Sequence, residues 1–251
     1  MNKEGYVKSE THAHITTIEF YHPLSNSLPG TILHDLAHEI HKAGEDFNTR
    51  VIILRSAGNT FCAGAAFSEL SAITNKENGA QFFSGFAHVI NAMRKCPKLI
   101  IGRIHGKCVG GGVGLAAAAD YAIALDGADI KLSELSLGFG PFVIAPAVER
   151  KIGTSAFGSL AIDSSLWRNA EWALRKGLYS ELHLTAEALD ESVARLAHKL
   201  AHDNPEAMAE LKQILWKGTE HWDKLLTERA GISGRLVLSD YTKEAIAKLK
   251  K

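Results

Sequence analysis

Two glycine-rich segments and one carboxylate carry most of the chemistry legible in this chain. The segments are Phe61-Cys62-Ala63-Gly64-Ala65 and Gly110-Gly111-Gly112-Val113-Gly114, and the carboxylate is Glu134. Each segment follows an apolar run of strand character, Val51–Leu54 and Leu99–Ile104, and precedes a helical pattern. A bare backbone turn between a strand and a helix start leaves N–H groups unpaired and aimed outward. Two such turns offer two donors able to converge on one oxygen atom. A carboxylate a short strand downstream adds a base, so the constellation reads as an oxyanion hole with a proton acceptor. Taken alone, Glu134 has the pattern of an exposed strand-end residue. Its neighbours Leu135, Leu137 and Phe139 are the apolar surroundings that would raise its pKa toward a base's useful range.

Other chemistries fit less well. The glycine turn read from Gly110 is not GxGxxG, because residue 115 is Leu, and no GK[ST] follows. Read from Gly112 it gives a lone GxGxxA, which does not specify a dinucleotide site. Ala116–Ala119 need no more than tight helix–sheet packing, but consecutive glycines at a helix start are costly in chain entropy and point to a further requirement at Gly111 and Gly112. Cys62 has apolar neighbours and no basic partner nearby in sequence, which fits a small buried filler better than a nucleophile. The absence of a GxSxG elbow disfavours a serine hydrolase. His34, His38 and His41 flank an apolar helical stripe as a solvated face, His12 and His14 lack companion ligands, and no HExxH occurs, so no metal is expected.

The elements that must position these residues alternate. Residues 14–21 read as a strand; His22–Ser27 is turn chemistry; Leu33, Leu36, Ala37 and Ile40 stripe a first helix closed by Gly44. A strand over 51–55 follows, then a helix striped by Phe82, Phe86, Val89, Ile90 and Met93 and stopped by Pro97. A strand over 99–105, a helix over 112–119, and strands over 121–125 and 130–133 complete the pattern. Strands alternating with helices imply crossovers and a largely parallel sheet. After about residue 150 the pattern becomes all-helical. Leu189, Val193, Leu196 and Leu200 form one stripe; Met208, Leu211, Ile214 and Leu215 form another, opened by Asn204-Pro205 as N-cap and first-turn proline; helical patterns run on from about 221. Such helices need a surface to pack on, either within the chain or on another subunit.

Composition sets the outer bounds. A chain of 251 residues has ample apolar content for a core. Lys+Arg and Asp+Glu both number 28, which favours neither nucleic acid nor an anionic membrane as partner. No apolar run reaches the roughly 18 residues of a membrane span. A polar start, Met1–Tyr6, is unlike a signal peptide, and three scattered cysteines form no framework. A reduced, cytoplasmic protein is expected.

The chain resembles the crotonase, or enoyl-CoA hydratase/isomerase, superfamily. The resemblance rests on Gly58–Ala65, His105-Gly106, Gly110–Gly112, Ala119-Asp120, Glu134, Leu137-Gly138 and Pro141, and it extends over nearly the whole length. It implies an α/β fold of the ββα spiral type, with residues 1–190 as spiral core and 191–251 as a helical trimerisation region in a homotrimer or dimer of trimers. It also implies an acyl-CoA thioester substrate, coenzyme A being part of that substrate and no separate cofactor being needed. The oxyanion donors fall by motif on the N–H groups of Ala65 and Gly111, with Glu134 as catalytic carboxylate. Leu24, Ala63, Gly64, Phe67, Gly110, Gly114 and Phe142 are the implied substrate-binding positions.

The departures from the family pattern bear on the reaction. Hydratases of this family carry two glutamates, and the first falls here on Gly114. Moving a double bond from C3 to C2 needs one carboxylate, and the text from Glu134 to Phe142 resembles that of 3,2-enoyl-CoA isomerases. An aspartate of the dienoyl isomerases falls on Phe142, and the usual Gly-Gly-Thr stretch is replaced by Phe142–Pro146. Position 66 is Ala where Asp is frequent, and a basic C-terminus is approximated by Lys248, Lys250 and Lys251. An isomerase is the leading expectation. A hydratase or other acyl-CoA lyase using a second carboxylate, with Glu69 and Glu149 as candidates, and a catalytically weak acyl-CoA-binding subunit remain as alternatives.

Overall fold

The computed structural model describes residues 5–249; Lys250 and Lys251 lie outside them. The chain starts with β1 (Tyr6–His12), β2 (Ile15–Tyr21), β3 (Ser27–Leu28) and α1 (Gly30–Glu45). Then come β4 (Val51–Ser56), β5 (Gly64–Ala65), α2 (Phe67–Leu70), α3 (Lys76–Lys95), β6 (Leu99–Ile104) and β7 (Cys108–Val109). The middle holds α4 (Gly111–Ala118), β8 (Tyr121–Leu125), β9 (Ile130–Lys131), a 3-10 turn (Leu135–Leu137), α5 (Ala145–Ile162) and α6 (Ala170–Arg175). The last part is β10 (Glu181–His183), α7 (Ala186–His202), α8 (Pro205–Leu215), α9 (Trp222–Leu236) and α10 (Asp240–Leu249).

The main sheet runs β1-β2-β4-β6-β8-β10, parallel throughout except for the antiparallel β1–β2 hairpin at one edge. Its central strands are nearly continuous apolar runs because both faces are covered. Alternation sorts them: Val51, Ile101 and Ile123 face Leu189, Val193, Ala197 and Ala201 of α7. Ile52, Leu54, Ile100 and Ile104 face the other way, into the core shared with Leu33, Leu36 and Ile40 of α1 and with α3 and α4. Two features depart from the sequence reading. The strand β1 has only Tyr6 and Val7 as large apolar residues, too few to show a buried face, and a half-exposed edge strand does not need one. The stretch after residue 150 is not all helix, since β10 adds three residues to the sheet beside β8. Residue 190 lies inside α7, a helix that packs across the sheet.

Two small parallel pairings, β3–β5 and β7–β9, carry the glycine turns off the main sheet. Two-residue strands have no periodicity to read, which is why the sequence shows them only as turns. Further along, α9 crosses α3 at facing glycines: a Cβ on Gly79 would lie 2.6 Å from Gly234 O, and one on Gly234 would lie 2.3 Å from Ala80 N. No side chain fits between the two helices at that point. The stripe expected for α8 is divided: Met208 is buried, while Leu211, Ile214 and Leu215 are exposed.

What ties α8 down is electrostatic. Asp120, between α4 and β8, accepts hydrogen bonds from Ile100 N (2.7 Å), Lys212 Nζ (2.7 Å) and Trp216 Nε1 (2.8 Å). Both Lys212 and Asp120 are almost completely buried, and Lys212 Nζ also reaches Lys98 O at 3.0 Å. Removing one partner of such a pair strands the other charge without water. Lys212→Met should therefore lower stability by about 3–5 kcal/mol in urea unfolding; a loss of less than about 1 kcal/mol would show that the pair does not anchor the helix.

Candidate active site

The two glycine turns lie against each other because their strands are paired. Cys62 N donates to Lys107 O (3.2 Å) and Val109 N donates to Cys62 O (2.9 Å), with Cys62 and Cys108 facing as parallel neighbours. A Cβ on Gly112 would fall 2.3 Å from Cys62 O, and one on Gly111 would fall 2.3 Å from the Phe86 ring. The glycines are thus required by close approach, the reason the sequence alone could not supply. Cys62 is fully buried, and burial pushes its thiol up to about 12, in line with a filler's role.

The first turn is held from the other side by Asn26. Its buried side chain donates to Ala57 O and Thr60 O, both at 2.7 Å, and accepts from His22 N at 2.6 Å. Asn26 sits at φ +55°, a conformation an Asn tolerates. Just past β5, Ala66 N donates to Leu28 O (2.9 Å); since peptide groups alternate along a strand, the Ala65 N–H turns away from β3. Gly111 opens α4, so its N–H is among the four that a helix cannot satisfy internally. The turns meet closely: a Cβ on Gly64 would stand 3.6 Å from Gly111 N.

Glu134 reaches this junction from the turn before Leu135–Leu137. Its carbonyl accepts from Leu137 N (3.0 Å) and Phe139 N (3.2 Å), which fixes the backbone. Its carboxylate lies over Gly110: a Cβ there would be 2.8 Å from Oε1. Gly110 also has φ +52°, so glycine serves both the turn and the approach of the acid. Glu134 Oε2 is buried without a hydrogen-bond partner. Burial in an apolar setting pushes the carboxyl up to about 7. The expected neighbours contribute unequally, because Phe139 and Leu137 line the site while Leu135 is exposed on the outer side of the turn.

These residues open onto one cavity of about 240 Å³. Of the residues singled out from sequence, Ala63, Gly64, Ala65, Phe67, Gly110, Gly111, Glu134 and Phe142 line it. Leu24 and Gly114 do not. Leu24 projects from the His22–Asn26 loop with 65% of its surface exposed, and the space beside Gly114 is taken by Ile144. Glu134 is the only carboxylate among the described residues of the wall. Glu69 Oε2 instead accepts from Gly30 N (2.9 Å) at the start of α1, and Glu149 accepts from Thr154 Oγ1 (2.6 Å). Phe82 and Phe86, which the sequence shows only as part of a helical stripe, form a wall together with Phe83, and Ser233 enters from α9. No group of histidines, cysteines and carboxylates suited to a metal occurs among the described residues, and His34, His38 and His41 are exposed. No helix described is long and apolar enough to cross a membrane. Such an arrangement can polarise one carbonyl oxygen and exchange one proton beside it.

Known proteins share this architecture. An enoyl-CoA hydratase from Bacillus halodurans superimposes with a TM-score of 0.89 over 97% of this chain and 99% of its own, at 22% identity, which speaks to the fold: the expected crotonase-type α/β architecture. A protein of Bacillus subtilis (strain 168) named "Probable enoyl-CoA hydratase" is 29% identical over 234 residues, 92% of this chain and 90% of that one. The peroxisomal Delta(3,5)-Delta(2,4)-dienoyl-CoA isomerase of Arabidopsis thaliana is 26% identical over 213 residues, 78% of this chain and 75% of that one. The model of the enoyl-CoA hydratase/isomerase family matches residues 10–245. With that match running through every element that builds the cavity, the chain belongs to the acyl-CoA-processing enoyl-CoA hydratase/isomerase family.

Proposed function

We propose that this protein is an enoyl-CoA isomerase that shifts the double bond of a 3-enoyl-CoA thioester to the 2 position. The observation that carries the reading is the single carboxylate on the cavity wall. In this reading the N–H groups of Ala65 and Gly111 receive the thioester oxygen and stabilise the enolate; a donor of this kind is worth roughly 3 kcal/mol in the transition state. Glu134 removes a proton from C2 and returns it to C4, the electron pair passing from the C2–H bond through the dienolate to the new C4–H bond. A carboxyl pushed up to about 7 suits both halves of that transfer, since it accepts and releases a proton near neutral pH.

Hydration is the second reading, favoured by the name of the Bacillus subtilis relative. Addition of water across C2 and C3 is served by two carboxylates, and the position of the second is occupied here by Gly114 and Ile144. The apolar Phe142 at the place of the dienoyl isomerases' aspartate speaks against dienoyl chemistry. Assembly through the C-terminal helices belongs to the same proposal, with support from the exposed row Leu211, Ile214 and Leu215 on α8.

Product analysis of an acyl-CoA panel in deuterated water tests the reading. The 3-enoyl-CoA should become 2-enoyl-CoA, with deuterium exchange at C2; efficient hydration of 2-enoyl-CoA with 3-enoyl-CoA left untouched would reject it. Glu134→Gln should lose at least ~100-fold in turnover while retaining CoA-ester binding, and unchanged turnover would remove Glu134 from the mechanism. The rate constant kcat/KM should rise with pH and level off above about 7, as the free enzyme's base ionises. Stability should move the opposite way. Between about pH 4.5 and 7 Glu134 is protonated when folded and ionised when unfolded, so folding weakens as pH rises. Relative to the Glu134→Gln variant, the wild-type chain should lose on the order of 3 kcal/mol across that interval; parallel urea-unfolding profiles for the two proteins would contradict the raised pKa.

A further inference from the structure

Gly111 and Gly114 stand three residues apart in α4 and share one face of the helix. Whatever fills the space beside Gly114 therefore lies less than one turn, roughly 4.5 Å of rise, along the helix from Gly111. That space belongs to Ile144. A Cβ on Gly114 would fall 2.5 Å from Ile144 Cγ2 and 2.8 Å from Ile144 Cβ, with Ile90 Cδ1 behind it at 3.7 Å. Ile144 is 4% exposed, yet it lines the same cavity as Glu134.

Its backbone holds it there. Ile144 caps α5, its carbonyl accepts from Val148 N (3.1 Å), and the turn before it is closed by Ala145 N donating to Pro141 O (2.9 Å). The neighbours on this wall, Phe142 and Val143, are hydrocarbon as well. A thioester oxygen on the Gly111 N–H would bring the nearest acyl carbons within reach of this wall, where no side chain from residue 142 to 144 can hold a water.

We propose that Ile144 is a specificity-determining residue that keeps water from C3 of the bound acyl chain; this rests on the isomerase reading above. Hydration of a 2-enoyl thioester forms a C3–O bond from water and breaks the C2–C3 π bond; one of the water's protons passes to a base, the other stays on the new hydroxyl, and an acid delivers a proton to C2. A water must be held against C3 for that to happen, and the Ile144 side chain excludes it. The 2-enoyl product then leaves unhydrated.

The test is the ratio of hydration to isomerisation, read by mass spectrometry with the purified full-length protein and separate 3-enoyl-CoA and 2-enoyl-CoA substrates. Ile144→Thr keeps the branched shape and the Cγ2 contact with Gly114 while adding a hydroxyl, and Ile144→Ala opens the space. Both should raise the ratio at least tenfold over wild type. Gly114→Glu combined with Ile144→Ala should raise it further, because a second carboxylate then has room. An unchanged ratio in all three variants, each shown by circular dichroism to be folded, would overturn the assignment of Ile144. If Ile144→Ala fails to fold, Ile144→Thr decides. Rapid hydration by the wild-type protein would instead overturn the one-carboxylate reading, and Ile144's role with it.

Discussion

The pairing of Cys62 with Lys107 and Val109 is the interaction on which the site depends. It joins two crossover segments about 45 residues apart in sequence by two backbone hydrogen bonds, and so sets the separation of the two helix-side turns. Nothing in either turn alone fixes where the other lies. Once paired, the Ala65 turn and the start of α4 share a boundary at Gly64 and Gly111, and both turns line one cavity. The main sheet supports this indirectly: β4 and β6 are neighbours in it, so the segments that leave them emerge side by side.

Around that pairing the site is shaped largely by side chains that are missing. Gly110, Gly111, Gly112 and Gly114 each touch a different partner: the Glu134 carboxylate, the Phe86 ring, the Cys62 carbonyl and the Ile144 side chain. The start of one short, fully buried helix thereby packs against four different groups at residues 110, 111, 112 and 114. Glu134 gains its properties from the same crowding. It is set down on Gly110 with one oxygen unpartnered among the described residues, and burial is the dominant influence on its proton affinity. A charged neighbour would have pulled the carboxyl the other way.

The sequence was informative where chemistry and long periodicity coincide. The glycine runs, Glu134, the apolar strands and the striped helices α1, α3 and α7 could all be read directly, as could the Asn204-Pro205 start of α8, whose side chain accepts from Glu206 N and Ala207 N. What could not be read were contacts between distant segments. Phe82 and Phe86 show the same stripe whether a neighbouring space is filled or empty, so the cavity wall passed as core. Ile144 looks like any apolar residue until Gly114 is placed against it. Gly234 carried a signal in the run Ala230-Gly231-Ile232-Ser233-Gly234, since small residues spaced along a helix allow close crossing, but its partner Gly79 is far away in sequence. Leu24, a substrate-binding position implied only by family resemblance, is exposed on its loop and does not line the cavity.

The central claim is that the paired glycine turns polarise a thioester carbonyl. Isotope-edited infrared difference spectroscopy of an acyl-CoA labelled with carbon-13 at the thioester carbonyl reads this without turnover. The account predicts a carbonyl stretch shifted to lower frequency on binding, with the shift kept in Glu134→Gln and reduced in Gly112→Ala, where the new methyl presses on the Cys62 carbonyl. A bound carbonyl at its frequency in water would contradict it.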